Sequence, residues 1–133
     1  MIRALRRASE LTVQGRTIEA STPLSYFLKK VITKTSLTEV IFDIYAQLDD
    51  YVLVSDLKVW QYDDDFVLNN LCDMIINRDL LKIKIKVKRI KEEELQSHMD
   101  KLEKQYNISK KEAEYFIFKG EITNQAYSRK DQK

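Results

Sequence analysis

The sequence contains very few of the residues that build tight turns, disulfides and metal sites. Its 133 residues include two glycines, one proline, one cysteine and one histidine. So few glycines argue against a glycine-rich phosphate loop, because such a loop needs backbone freedom near its ligand. A single cysteine excludes an internal disulfide, and no segment approaches the ~20 apolar residues of a membrane-spanning helix. The scarcity of glycine and proline favours long helices with few tight turns.

The charges of the chain nearly balance. Lysine and arginine number 23 and aspartate and glutamate 21, for a net charge of +2, and hydrophobic residues make up 44%. This balance gives no strong attraction to nucleic acid or to a membrane surface, so neither is an expected partner. Cys72 lies in an apolar run that is typical of a core position, and its reduced state fits a cytoplasmic protein.

Hydrophobic spacing predicts a largely helical chain. Apolar residues recur every three or four positions over residues 2–13, 38–47, 50–62, 66–77 and 92–106. Ser21-Thr22-Pro23 predicts the start of a further helix, with a hydroxyl cap followed by a proline early in the helix. Asp49-Asp50 and the acidic run from Asp63 to Asp65 precede two of these helices. Helix capping explains their carboxylates better than acid–base or metal chemistry does.

The last third of the chain adds a pattern of period two. Ile83, Ile85 and Val87 alternate with Lys82, Lys84, Lys86 and Lys88, which predicts a strand over residues 81–88. A second alternation predicts a strand over residues 115–120 that continues toward residue 127. The expected fold class is therefore mainly α, of the α+β type. A helical bundle segment at residues 1–79 is followed by a small antiparallel sheet with one or more helices at residues 80–133.

Few side chains are candidates for chemistry or binding. His98 stands alone, and one imidazole cannot build a metal site of several histidines and carboxylates. Arg78 and Lys82 could grip a phosphate group, although a cation after a helix can also serve the helix end. Lys84 and Lys86 are interface candidates that could equally be a solvated or edge-protecting row. Trp60 is a third interface candidate, although such aromatics more often lie in a core.

Several segments, taken together, resemble a known family. They are Arg6-Arg7-Ala8, Thr22-Pro23-Leu24-Ser25-Tyr26-Phe27-Leu28, Leu57-Lys58-Val59-Trp60-Gln61, Ile76-Asn77-Arg78-Asp79-Leu80-Leu81-Lys82 and Asn124-Gln125-Ala126-Tyr127-Ser128. In this order they resemble the region after the catalytic domain in bacterial HD-domain phosphohydrolases. That family is similar to the deoxynucleoside triphosphate triphosphohydrolases, including the SAM-and-HD-domain enzyme of animals.

The resemblance implies a parent enzyme that hydrolyses nucleotides with a divalent metal. It implies that residues 1–79 pack on an HD domain, that residues 80–133 form an incomplete α+β region, and that the protein forms oligomers. Arg78 and Lys82 match an Arg-x-x-x-Lys element, which the resemblance links to a regulatory nucleotide. The sequence departs from the family because the His…His-Asp…Asp ligand set is absent.

Two functions remain as expectations. The first is a non-catalytic, C-terminal portion of such a phosphohydrolase, with no catalytic or metal-binding residue of its own and no activity alone. Its partners would be the remainder of the hydrolase, further copies of the chain and a nucleotide effector. The alternative is a stand-alone interaction module that uses the lysine-faced strand or an exposed sheet edge.

Overall fold

Seven α-helices are present in the computed structural model, which describes residues 1–30, 32–33, 37–85 and 90–120. The chain divides into two units, Met1–Ile83 and Lys84–Lys133. The first unit holds α1 (Ile2–Val13), α2 (Thr22–Lys29), α3 (Glu39–Ala46), α4 (Asp50–Trp60) and α5 (Phe66–Ile76). The second holds α6 (Glu92–Tyr106) and α7 (Lys110–Ala113). Across the described residues, no helix combines the length and hydropathy needed to cross a bilayer.

The core of the first unit lies where α1, α4 and α5 meet. Helix α1 packs on both α2 and α5, and α5 packs on α4. Small residues on α1, Ala4 and Ala8, are fully buried and allow the neighbouring helices to approach closely. The larger core side chains are Leu24, Leu28, Leu57, Trp60, Val67, Leu68 and Leu71. Burial of this apolar surface is the main stabilising contribution to the unit.

Acidic caps start the two helices that carry most of this core. The Asp49 carboxylate accepts a hydrogen bond from the Val52 N–H at 2.8 Å, and Asp65 accepts one from the Leu68 N–H at 2.8 Å. Each bond satisfies a backbone donor that the first helical turn leaves free. The capping role predicted for these two aspartates is confirmed.

The predicted antiparallel sheet is wrong for the part of the chain that the structure describes. Residues 81–85 form no strand, and the side chains of Ile83 and Ile85 are 83% and 79% exposed. The alternation of lysine and isoleucine would give a strand one polar and one apolar face. A strand also needs a neighbouring strand that accepts its hydrogen bonds and a surface that covers its apolar face. Neither is supplied here by the described residues. The remainder of that predicted strand, residues 86–88, lies outside them.

The second predicted strand is replaced by a short helix and a turn. Ser109 and Glu112 form a reciprocal capping box at the start of α7. Residues 114–116 continue as a turn, in which the Ile117 N–H donates to the Ala113 carbonyl at 3.1 Å. Among the residues of this second unit that the structure describes, Met99, Ala113 and Tyr115 are buried. The described residues are thus all α, and the predicted continuation at residues 122–127 lies outside them.

Candidate interaction and phosphate-binding surfaces

Arg78 and Lys82 lie just after α5, both with exposed side chains. Asn77 is the C-cap of α5, and Arg78 follows it with a φ of 59°. Its N–H donates to the Ile75 carbonyl at 3.4 Å, so the backbone of Arg78 closes the helix end. Glycine is the usual residue in this left-handed conformation, because a Cβ atom there is unfavourable. The guanidinium itself points into solvent, where a phosphate group could reach it.

The structure describes only part of the predicted row of lysines. Lys82 and Lys84 are exposed on the extended segment at residues 81–85, and Lys86 lies outside the described residues. The exposed isoleucines between the lysines give this segment both charge and uncovered apolar surface. Its predicted role at an interface stays a prediction.

Trp60 belongs to the core of the first unit. Its side chain is 1% exposed, and its indole N–H donates to the Glu19 carbonyl at 2.6 Å. This bond ties the end of α4 to the link between α1 and α2. The indole therefore offers almost no surface to another chain.

A buried carboxylate holds the start of α2. Asp56, on α4, accepts hydrogen bonds from the Ser21 N–H at 2.7 Å and from the Ser21 hydroxyl at 2.6 Å. Ser21 is the N-cap residue of α2, but the predicted hydroxyl cap is not formed by it, since its side chain makes no capping bond. Asp56 was not singled out from the sequence, because a lone aspartate among the apolar residues of a helix carries no motif. A buried carboxylate needs such partners, because leaving it without them is costly.

Two ion pairs connect α1 and the residues after it to the acidic run before α5. Arg7 donates two hydrogen bonds to the Asp65 carboxylate, at 3.0 and 2.7 Å, and Arg16 donates to Asp63 at 2.6 Å. Burial alone raises the pKa of Asp65, but the bonds from Arg7 and the Leu68 N–H and the nearby positive charges outweigh it. The net effect lowers the pKa of Asp65, so this carboxylate is ionised at neutral pH.

In the part of the chain that the structure describes, the residues most often used in catalysis do not cluster. His98 is exposed on α6, and within the described ranges no group of three or more histidine, cysteine, aspartate or glutamate residues is placed to hold a metal ion. Burial raises the pKa of Cys72 to about 12, which keeps its thiol protonated and unreactive.

Helix α3 leaves much of its apolar surface uncovered. Only Ile41 of this helix is buried, whereas Val40, Phe42 and Tyr45 are exposed. The hydrophobic spacing of this helix predicts that Val40, Ile41, Ile44 and Tyr45 lie on its buried side, and this prediction is wrong for Val40 and Tyr45. Tyr45 makes an edge-on contact with Phe27 on α2, at 6.2 Å between ring centroids. Exposed apolar residues grouped on one short helix are typical of a surface that contacts another protein segment.

Helix α4 also carries uncovered aromatic residues, one at each end. Tyr51 is 87% exposed, and Tyr62, just beyond the helix end, is 82% exposed. Beside Tyr62 an open cleft of ≈ 780 Å³ lies between α4 and the link that precedes α2. Its lining includes Arg16, Ser55, Lys58, Val59, Tyr62 and Asp64.

Comparison with solved structures finds a protein that this chain resembles in sequence and fold. The crystal structure of a phosphohydrolase from Bacteroides thetaiotaomicron VPI-5482 matches 86% of this chain, with a TM-score of 0.81 and 33% sequence identity. This chain is similar to part of a phosphohydrolase. It covers 29% of that protein, and the resemblance to a bacterial phosphohydrolase found in the sequence is confirmed. No protein-family model and no curated protein matches the sequence.

Proposed function

We propose that this chain is a non-catalytic region of an HD-type, metal-dependent nucleotide phosphohydrolase and that it supplies surfaces for contacts within the assembled enzyme. The observation that carries the proposal is the 33% identity and TM-score of 0.81 with a phosphohydrolase of which this chain covers only 29%. The sequence contains one histidine, and it is exposed on α6. A catalytic metal centre of the HD type needs several imidazoles and carboxylates, so it would have to come from other residues than these.

The exposed apolar residues of α3 support a role in packing. Val40, Phe42 and Tyr45 would each gain stability from burial against further protein, by about 1.5–3 kcal/mol for a fully buried apolar side chain. In this proposal the remainder of the phosphohydrolase covers them. The alternative of a stand-alone module built on a sheet edge lacks support, because residues 81–85 form no strand.

Metal binding tests the non-catalytic assignment. Titration of the purified chain with Mn²⁺, followed by electron paramagnetic resonance, should show only weak sites, with dissociation constants near a millimolar. Scattered surface carboxylates such as Asp50 and Asp64 bind divalent cations no more tightly than this, since too few ligands converge. A single site with micromolar affinity would overturn the assignment.

We extend the proposal to a regulatory nucleotide held by Arg78 and Lys82. The support is the conformation of Arg78, because a left-handed non-glycine residue costs roughly 1–2 kcal/mol. A role for its guanidinium in binding a ligand, which glycine could not fill, would explain why an arginine occupies this position. Arginine suits this task because its planar fork can donate two hydrogen bonds to one phosphate group.

Calorimetric titration with nucleoside triphosphates tests this extension. The substitutions Arg78→Ala and Lys82→Ala should each weaken binding by about tenfold, which corresponds to the loss of one charge-assisted contact. Lys101→Ala, at an exposed lysine on α6, is the matched control and should leave binding unchanged. Equal affinities in all four proteins would remove Arg78 and Lys82 from the proposal.

A further inference from the structure

The segment that follows α5 leaves its backbone groups without hydrogen bonds. Residues 79–85 form neither helix nor strand, and nearly all of them are exposed. The hydrogen bonds described for the chain include one from the Arg78 N–H to the Ile75 carbonyl, but none to a backbone group of residues 79–85. The side chains of Ile83 and Ile85 are also uncovered. Another protein can therefore reach both the backbone and the side chains of this segment.

A lysine lies at the centre of the segment. A protease holds its substrate as an extended chain and forms hydrogen bonds with free backbone groups on both sides of the cut, much as a strand is added to a sheet. The Lys82–Ile83 peptide bond has free backbone from residue 79 before it to residue 85 after it. Lys84 provides a second such bond close by. The segment thus suits a protease that cuts after lysine.

Exposed lysines on the helices have a backbone that is already hydrogen-bonded. Lys58 is on α4, and Lys101 and Lys104 are on α6. In a helix each N–H donates to the carbonyl four residues before it, so the helix must open before a protease can bind it. Cleavage there follows the small population of the open form and is correspondingly slow. These lysines therefore differ from Lys82 in the state of their backbone and not in the exposure of their side chains.

The first unit has its tertiary contacts on the N-terminal side of this lysine. The ion pair of Arg7 with Asp65 and the hydrogen bonds of Asp56 with Ser21 join residues that all precede Lys82. The same is true of the core between α1, α4 and α5. Cleavage after Lys82 removes none of these contacts, so we expect the first unit to stay folded.

The second unit has a much smaller core. Within its described residues, the buried side chains are Met99, Ala113 and Tyr115. An ion pair joins Lys119 to Glu92 at its surface, where such a pair adds little stability. So small a core supplies little stability to a unit of this length. Once it is separated, we expect this unit to unfold and to be digested further.

We propose that residues 79–85 are a proteolytic cleavage site, at which a protease that cuts after lysine separates a stable first unit from a second unit that it then degrades. One water molecule hydrolyses the Lys82–Ile83 or Lys84–Ile85 peptide bond. The products carry a new carboxylate on the lysine and a new amino group on the isoleucine. The first unit keeps Arg78 and the exposed apolar residues of α3. This inference goes beyond the assembly role proposed above and does not depend on it.

Limited digestion of the full chain with trypsin, followed by mass spectrometry, tests the site. Fragments that end at Lys82 and Lys84 should appear at least about tenfold faster than the products of cuts after Lys58 or Lys101, because those cuts need a helix to open. The two fragments should then persist while the rest of the chain is digested. Equal rates of cleavage at the four lysines overturn the proposal, and so does digestion of the two fragments as fast as they form.

A double variant and a folding measurement complete the test. In Lys82→Gln/Lys84→Gln the two fragments should be absent, whereas the matched control Lys101→Gln on α6 should produce them at the natural rate. Circular dichroism of the digested natural chain should still show a cooperative urea transition, which comes from the helices of the first unit. A digest without such a transition would show that the first unit does not survive the cut, which contradicts the proposal.

Discussion

The ion pair between Arg7 and Asp65 should contribute more to stability than helix capping alone can explain. The two side chains are only 12% and 9% exposed, and the pair is joined by two hydrogen bonds of 3.0 and 2.7 Å. Asp65→Asn keeps a residue that caps helices well but removes the negative charge. It removes the charge of Asp65 from beside a largely buried arginine, which keeps only its longer ion pair of 4.0 Å with Glu10 among the ion pairs described here. Breaking a buried pair costs about 3–5 kcal/mol. Because this pair is not fully buried, we expect a loss of about 2–3 kcal/mol.

Asp49 offers a matched control for that substitution. It caps α4 with the same 2.8 Å bond to a backbone N–H, but its surroundings are exposed. Asp49→Asn should therefore change the free energy of unfolding by less than about 0.5 kcal/mol, whereas Asp49→Ala should cost about 1 kcal/mol through loss of the cap. Urea unfolding followed by circular dichroism measures all three variants. If Asp65→Asn is no more destabilising than Asp49→Asn, the reasoning about the ion pair is refuted.

The same pair predicts a pH dependence. The pKa of Asp65 is lowered in the folded chain from its ordinary value of 3.8, so the folded state binds fewer protons here than the unfolded state. The stabilising contribution is complete above that ordinary value and is lost as the pH falls through the lowered one. The difference between the natural chain and Asp65→Asn should therefore be constant from about pH 5 to 7 and shrink in more acidic solution.

Three further substitutions or treatments have expected outcomes. Arg78→Gly should raise the free energy of unfolding by about 1 kcal/mol, since glycine adopts the φ of 59° without a Cβ penalty; a loss of stability would contradict this. Ser21→Ala should lower it by about 1–3 kcal/mol in urea unfolding, because the buried Asp56 carboxylate loses a hydroxyl donor; an unchanged midpoint would argue against that bond. Cys72 should react with a thiol reagent only after denaturant is added, and rapid labelling of the folded chain would show that it is not buried.

The helices were predictable from the sequence because their signals are local. A first helix was predicted at residues 2–13, and α1 spans Ile2–Val13. A helix was also predicted at residues 92–106, and α6 spans Glu92–Tyr106. In both cases the spacing of apolar residues covers several turns, and no glycine or proline interrupts it. Asp49 and Asp65 mark helix starts through bonds to residues only three positions away. Such short-range bonds leave a clear trace in the sequence.

Alternation alone could not show that residues 81–85, the described part of the predicted strand, form no strand. The pattern at residues 81–88 describes which side chains share a face, but pairing depends on residues elsewhere that offer free backbone groups. The start of the short helix α7 has a signal in the sequence, because Ser109 and Glu112 have the spacing of a capping box. The alternation of residues 115–118 instead favoured a strand in this region.

Hydrogen bonds between residues far apart in the chain could not be predicted from the sequence either. Asp56 meets Ser21, and Trp60 meets the Glu19 carbonyl, only because α4 packs against the link before α2. No spacing rule brings together residues so far apart in the chain. Arg78 and Lys82, by contrast, lie close in sequence and could be paired from it. The left-handed backbone of Arg78 could not be predicted from the residue pattern.

Hydrolysis by the chain itself tests the central claim most directly. The purified chain would be incubated with nucleoside triphosphates and with a general phosphate ester, in separate reactions containing Mg²⁺, Mn²⁺ or Co²⁺, and released phosphate or triphosphate would be measured. The proposed non-catalytic role predicts no release above the metal-only background, in the natural chain and in His98→Ala alike. Turnover that follows the protein through successive purification steps, and that is lost in His98→Ala, would contradict it.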